Sequence, residues 1–187
     1  MSYAKIMLVT ALCWAAVSAP DPVAAQNRGD CRGQRAEESS IVIADSDEPG
    51  ERLVVEGRVV ASDGRTGVQG ATVFVFQTDA AGYYSPGGMD ESNARLCGLM
   101  LTDAAGRYRF ETVRPGHYAT GGPPAHVHYR VWGKGVSRQS FTLNFEGDPL
   151  LGERGRNAGS NPTWATVRPL EQESPTTWRV VRDLKLR

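Results

Sequence analysis

The stretch GGPPAHVHYRVWG, residues 121–133, sets two of the chain's three histidines, His126 and His128, one residue apart. Side chains on a strand alternate between faces, so residues i and i+2 share one. Taken as a strand, the run sends Val127, Tyr129 and Val131 to one side and His126, His128, Arg130 and Trp132 to the other. One face builds core and the other builds a site. A β-strand here makes the rest of the chain legible, because the same period recurs on both sides of it.

Downstream, QSFTLNF puts Phe141, Leu143 and Phe145 together and Ser140, Thr142 and Asn144 opposite them. Upstream, LVVEGRVVA, GATVFVFQT and GRYRFETV are short β-branched and aromatic runs, parted by turn signals at SDGRTG, DAAG and RPG. TTWRVVRDLKL closes the series, with Trp178, Val180, Leu184 and Leu186 on one face, although Arg182 interrupts the apolar side. No helical period of useful length appears. The expected fold class is all-β: a single-domain β-sandwich over residues 51–187, with long loops. Residues 151–175, rich in Gly, Pro, Asn and charge, read as a long surface excursion before the last strand.

Ahead of the domain, residues 26–50 are mostly polar and read as an extended arm with one apolar patch at Ile41–Ala44. Residues 1–25 read as a secretory signal peptide: Lys5 precedes the apolar run IMLVTALCWAAVSA, and small residues follow up to Ala25. That run is shorter than the roughly 20 residues a membrane span requires. The expectation is an exported protein, periplasmic or extracellular, with no membrane association after cleavage. Such a compartment permits disulfides, and cleavage leaves Cys31 and Cys97, which are expected to pair; two free buried thiols are the alternative. Basic and acidic residues balance at 21 each, which argues against nucleic acid or an anionic membrane as the main partner.

An isolated H-x-H is a weak sign of metal binding. Here it has company: Tyr118 in RPGHY, and Tyr83 and Tyr84 in FQTDAAGYYS. In this order the pieces resemble the intradiol ring-cleavage dioxygenases, the family that includes protocatechuate 3,4-dioxygenase. The resemblance runs from LVVEGRVVASDG through GATVFVFQTDAAGYYS, LTDAAGRYRFETVRPGHY and PPAHVHYRV to LNFEGDP, about residues 53–149. It implies a non-haem Fe(III) ligated by Tyr84, Tyr118, His126 and His128, with Tyr118 leaving as substrate binds. It also implies a small aromatic diol and dioxygen as the reacting partners, and a muconate-type diacid as product. Two phenolates and two neutral imidazoles are a hard, anionic set suited to a trivalent cation. A tyrosine titrating near 10 binds as phenolate only where the metal displaces its proton.

Two positions depart from the family pattern. Pro123 stands where well-studied members carry Arg, and Thr142 where they carry Gln. Arg130, on the face of the two histidines, is the candidate to supply the missing cation. His117 is expected at the surface, and Glu146 and Asp148 of FEGDP are expected to hold a loop, not to act as acid and base. A homo-oligomer is compatible with the resemblance, although the helical N-terminal segment by which catechol-cleaving members dimerise has no counterpart here. A reading of another class also fits GRVVASDGRTGVQGATVFV: a transthyretin-like or carboxypeptidase-regulatory-like binding module, in which these tyrosines and histidines are ordinary sheet residues. A third keeps the iron and uses it to sequester catechols.

Overall fold

The computed structural model describes Cys31, residues 34–152 and residues 165–187. The signal-peptide reading of residues 1–25 lies outside them. Eleven strands form among the described residues: β1 (Ser40–Val42), β2 (Arg52–Val60), β3 (Thr72–Gln77), β4 (Leu96–Leu101), β5 (Arg107–Val113), β6 (His126–Gly133), β7 (Val136–Phe145), β8 (Ala165–Arg168), β9 (Glu171–Ser174), β10 (Thr177–Val181) and β11 (Leu184–Lys185). They assemble into two sheets. One runs β1-β5-β2-β10-β9, with β11 also paired to β2; the other runs β4-β3-β6-β7-β8.

The sandwich follows from the period-2 pattern, since each sheet buries one face and must cover it with the other. Leu53, Val55 and Val59 of β2 and Tyr108 and Phe110 of β5 meet Val73 and Val75 of β3, Val127, Tyr129 and Val131 of β6, and Phe141, Leu143 and Phe145 of β7. All are at most 2% exposed. Each such side chain contributes on the order of 1.5–3 kcal/mol by leaving water.

Three features differ from the sequence reading. The arm's apolar patch is a strand: β1 lies parallel to β5, and Ile43, which follows it, donates its N–H to the Glu111 carbonyl and is buried. The excursion of residues 151–175 contains β8, parallel to β7, and β9, antiparallel to β10, and its residues 153–164 lie outside the described set. Arg182, between β10 and β11, is itself only 2% exposed, its guanidinium 5.9 Å from the centre of the Phe141 ring and donating to the Asp183 carbonyl at 2.8 Å. Its own carbonyl accepts the Tyr108 hydroxyl and crosses Gly57 so closely that a Cβ there would collide with it. The chain thus passes a cationic residue through the core where alternation alone suggests a break.

Register sets the outward face of the second sheet, which carries the chemistry. Cross-strand partners stand on the same side. Phe76 pairs with His128, Phe74 with Arg130 and Thr72 with Trp132 across β3 and β6. Cys97 and Leu99 of β4 extend those rows on one side, and Thr142 of β7 stands beside His128 on the other.

Candidate metal centre

His126 and His128 project from the first residues of β6, while the two tyrosines arrive on loops. Tyr84 sits in the β3–β4 loop, which reverses at Gly82 with φ of 87°, a conformation that favours glycine. The loop is then fixed at its far end. The Arg95 N–H donates to the Tyr84 carbonyl at 2.8 Å, and the Arg95 guanidinium donates to Glu48 at 2.5 Å and to Asp79 at 3.0 Å. Tyr118 lies in the β5–β6 loop, which is laced to the first one: the Gly116 N–H donates to the Asp79 carbonyl at 2.8 Å, and the Thr78 hydroxyl to the Gly116 carbonyl at 2.8 Å.

The four side-chain tips close a ring. Tyr84 Oη lies 2.6 Å from Tyr118 Oη and 2.9 Å from His128 Nε2; His126 Nε2 lies 2.8 Å from His128 Nε2 and 3.5 Å from Tyr118 Oη. Metal bonds to nitrogen and oxygen run about 2.0–2.2 Å, which places neighbouring ligand atoms roughly 3 Å apart. The donor set therefore fits a single cation. His126 Nδ1 donates to the Pro124 carbonyl at 2.7 Å, which turns the Nε2 lone pair inward. Asp148, 8% exposed, accepts the Ala125 N–H at 3.0 Å and the Leu150 N–H at 2.8 Å, holding the entry to β6 as the FEGDP reading expects.

Burial shapes the protonation of these groups. It holds the His126 imidazole below its ordinary value, and burial together with the neighbouring His126 pushes His128 down to about 3. Burial, and then the hydrogen bond shared with Tyr118, lifts the Tyr84 phenol well above its ordinary value. Both imidazoles are neutral at neutral pH, the state in which an imidazole can bind a metal, and Tyr84 becomes phenolate only against a compensating cation. Free of metal, the folded protein keeps His128 neutral down to about pH 3, while in the unfolded chain a histidine protonates near pH 6.5. Through that window the unfolded chain binds more protons, so stability falls as pH drops from about 6.5 toward 3 and is insensitive to this group above it. Urea midpoints of metal-free protein measured between pH 7.5 and pH 4.5 are expected to fall less steeply in His128→Asn than in the wild type; equal slopes would contradict the buried, neutral imidazole.

Two neighbours escaped the sequence reading. The Phe76 ring stacks on His128 with centroids 4.5 Å apart and planes 11° off parallel. Glu91, on a short 3-10 turn over Glu91–Asn93, brings its carboxylate within 4.0 Å of His128 Nε2 and 3.5 Å of the Arg130 guanidinium. Alternation in TVFVF sends Phe74 and Phe76 away from the core, and that was the available signal for the first. Nothing local marks Glu91. His117 is exposed, and the Tyr83 side chain is half-buried.

Residues 31–160 match the family profile described as Dioxygenase. The chain belongs to the intradiol ring-cleavage dioxygenase family. Among relatives of this dioxygenase chain, the protocatechuate 3,4-dioxygenase beta chain of Burkholderia cepacia is 40% identical over 114 residues, 54% of this chain and 48% of that one. Catechol 1,2-dioxygenase 2 of Acinetobacter lwoffii is 29% identical over 154 residues, 73% of this chain and 56% of that one. The chain spans about half the length of these curated relatives. In fold, the intradiol dioxygenase chain is similar to catechol 1,2-dioxygenase of Acinetobacter radioresistens, with a TM-score of 0.65 at 22% identity, covering 85% of this chain and 60% of that one. It is also similar to the dioxygenase domain of a dioxygenase and carbohydrate-binding fusion from Streptomyces sp. SirexAA-E, with a TM-score of 0.60 at 20% identity, covering 86% of this chain and 97% of that domain.

Proposed function

We propose that this chain opens a catechol-type ring between its two hydroxyl-bearing carbons with dioxygen, giving a muconate-type diacid, and that it requires a non-haem iron(III) held by Tyr84, Tyr118, His126 and His128. The observation that carries this reading is the closed ring of two phenol oxygens and two imidazole nitrogens, with sides of 2.6 to 3.5 Å, in a chain of this family. A plain binding module has no use for four such donors turned on one point. When bound, iron(III) supplies Lewis acidity toward the diol.

The protein's own groups divide the remaining work. Tyr84, 1% exposed and packed with Phe76 and Ala94, is the fixed phenol. Tyr118 is only partly buried, at the edge of the same cluster, on a loop without strand pairing. It is the residue that gives way to an incoming diol, itself a pair of phenols, and its oxygen accepts one diol proton as it leaves. His126 keeps its orientation through the Pro124 carbonyl. Arg130, with its guanidinium 4.9 Å from the centre of the Phe76 ring, offers positive charge to the opening ring in place of the arginine that Pro123 replaces. Removing a donor from an enclosed site costs about 10²–10³ in rate. Arg130 is 41% exposed and shared with Glu91, so Arg130→Ala is expected to lower kcat/KM by about tenfold. A variant as fast as the wild type would remove Arg130 from the reaction.

Export after loss of residues 1–25 is part of the same reading, tested by sequencing the N-terminus of the protein recovered outside the cytoplasm. The function itself is tested by the iron content and visible spectrum of the mature protein, before and after adding catechol under nitrogen, followed by admission of oxygen. Iron near one per chain, a tyrosinate charge-transfer band that shifts with catechol, and a diacid product are expected. A colourless protein that takes up no iron on reconstitution would overturn the reading. An iron-loaded protein that binds catechol and yields no diacid would leave sequestration in its place.

A further inference from the structure

A cavity of about 530 Å³ lies on the outward face of the second sheet, beside the donor cluster. Its apolar surface comes from Phe74, Phe76, Leu99 and Trp132, which the β4-β3-β6 register sets side by side. Glu91 and Arg130 line it as well. Phe76 belongs to both places, because the ring that lines the cavity is also the ring stacked on His128. The Cys31–Cys97 disulfide also lines the groove, and Cys97 is the cross-strand partner of Phe76 on the same face.

We propose that this groove holds a second aromatic ring, so that the preferred substrate class is catechols bearing an aryl substituent; the inference rests on the ring-cleavage function proposed above. Size is the first argument. A cavity of roughly 150 Å³ suffices for benzene, so this one has room for far more than a single ring. Composition is the second, since a floor of three aromatic side chains offers stacked and edge-on contacts to another ring. Charge is the third: among the described residues, the charged ones lining the groove are Glu91 and Arg130, paired at 3.5 Å, which suits a neutral substituent better than a carboxylate. Continuity is the fourth. Glu91 reaches to 4.0 Å from His128 Nε2, so the groove begins where the donor cluster ends.

The test uses biphenyl-3,4-diol and catechol as paired probes. With iron-loaded protein, kcat/KM for biphenyl-3,4-diol is expected to exceed that for catechol by at least about tenfold, and Phe74→Ala is expected to bring the ratio down by about the same factor. A ratio near one, or one that Phe74→Ala leaves unchanged, overturns the proposal. With metal-free protein, biphenyl-3,4-diol is expected to quench tryptophan emission saturably, more tightly than catechol, and the quench is expected to vanish in Trp132→Phe. A quench equal for both diols, or one that survives in Trp132→Phe, also overturns it. If the loaded protein opens neither diol, the ring-cleavage function falls and the fluorescence decides the groove by itself. Sedimentation showing a dimer that Phe74→Arg dissolves would assign the face to a second copy and overturn the proposal.

Discussion

Replacing His128 with alanine is expected to strip the protein of iron and of ring cleavage together, while leaving the fold in place. The argument begins with alternation. Val127 and Tyr129, on either side of His128, carry the β6 contribution to the core and are at most 1% exposed, whereas His128 faces outward. Truncating it therefore opens no cavity between the sheets. It does remove one corner of the donor ring, the nitrogen 2.9 Å from Tyr84 Oη and 2.8 Å from His126 Nε2. It also leaves Tyr84, whose phenol burial holds protonated, facing a weaker cation site. Loss of an outer partner of a metal ligand typically costs 10–100-fold in affinity or activity, and loss of a ligand should exceed that. The measurement is iron per chain after reconstitution, beside the far-ultraviolet spectrum and the urea midpoint. The exposed His117, changed to alanine, is the control expected to retain iron. Full iron in His128→Ala would mean that the four atoms meet for another reason.

The convergence of these four side chains was legible from two sources, a local rule for the histidines and the family resemblance for the tyrosines. Alternation along AHVHYRVW fixes the face of both histidines, and the order of the tyrosine, P-G-x-Y, H-x-H and FEGDP pieces identifies their company. The same rule separated Phe141, Leu143 and Phe145 from Ser140, Thr142 and Asn144, and the burial of these residues follows it. The rest depends on pairing between distant segments, about which a local pattern is silent. Ile41–Ala44 looks like an apolar patch in an arm until Ser40–Val42 is seen to lie along β5, some seventy residues later. Ala165–Arg168 is an unremarkable stretch in a polar region, and becomes a strand because the β7 edge beside Thr142 needs a hydrogen-bonding partner. Arg182 breaks the apolar face of the last strands on paper, yet its stem and head are accommodated in the core against Phe141. Glu91 reaches the site from a turn fixed by its Asp90 cap, with no periodicity to announce it.

The Cys31–Cys97 disulfide ties two distant segments together, and its loss should cost several kcal/mol of stability. The bond closes a loop of 66 residues, and the chain-entropy account of such a crosslink gives about 4 kcal/mol, most of it from restricting the unfolded chain. Among the described residues the arm is otherwise held by β1, by the buried Ile43 and by the pairing of Glu48 with Arg95. β1 is three residues long, and its partner residue Val42 is 40% exposed. Cys31→Ser/Cys97→Ser, unfolded in urea beside the oxidised wild type, is therefore expected to lose about 4 kcal/mol, with a steeper dependence on urea because its unfolded chain exposes more surface. The two ends of the bond do different work. Cys31 anchors the arm, while Cys97 packs with Phe76, Tyr84 and Ala94 beside the donor ring. If the crosslink acts mainly on the unfolded state, the double variant, once folded, binds iron as the wild type does and merely unfolds earlier. If the arm also braces the wall beside Phe76 and Tyr84, iron affinity falls with stability in the same variant. A stability loss well under 4 kcal/mol would mean that β1 and the packing of Ile41 and Ile43 hold the arm by themselves, and that the oxidising compartment expected from the sequence contributes little to the fold.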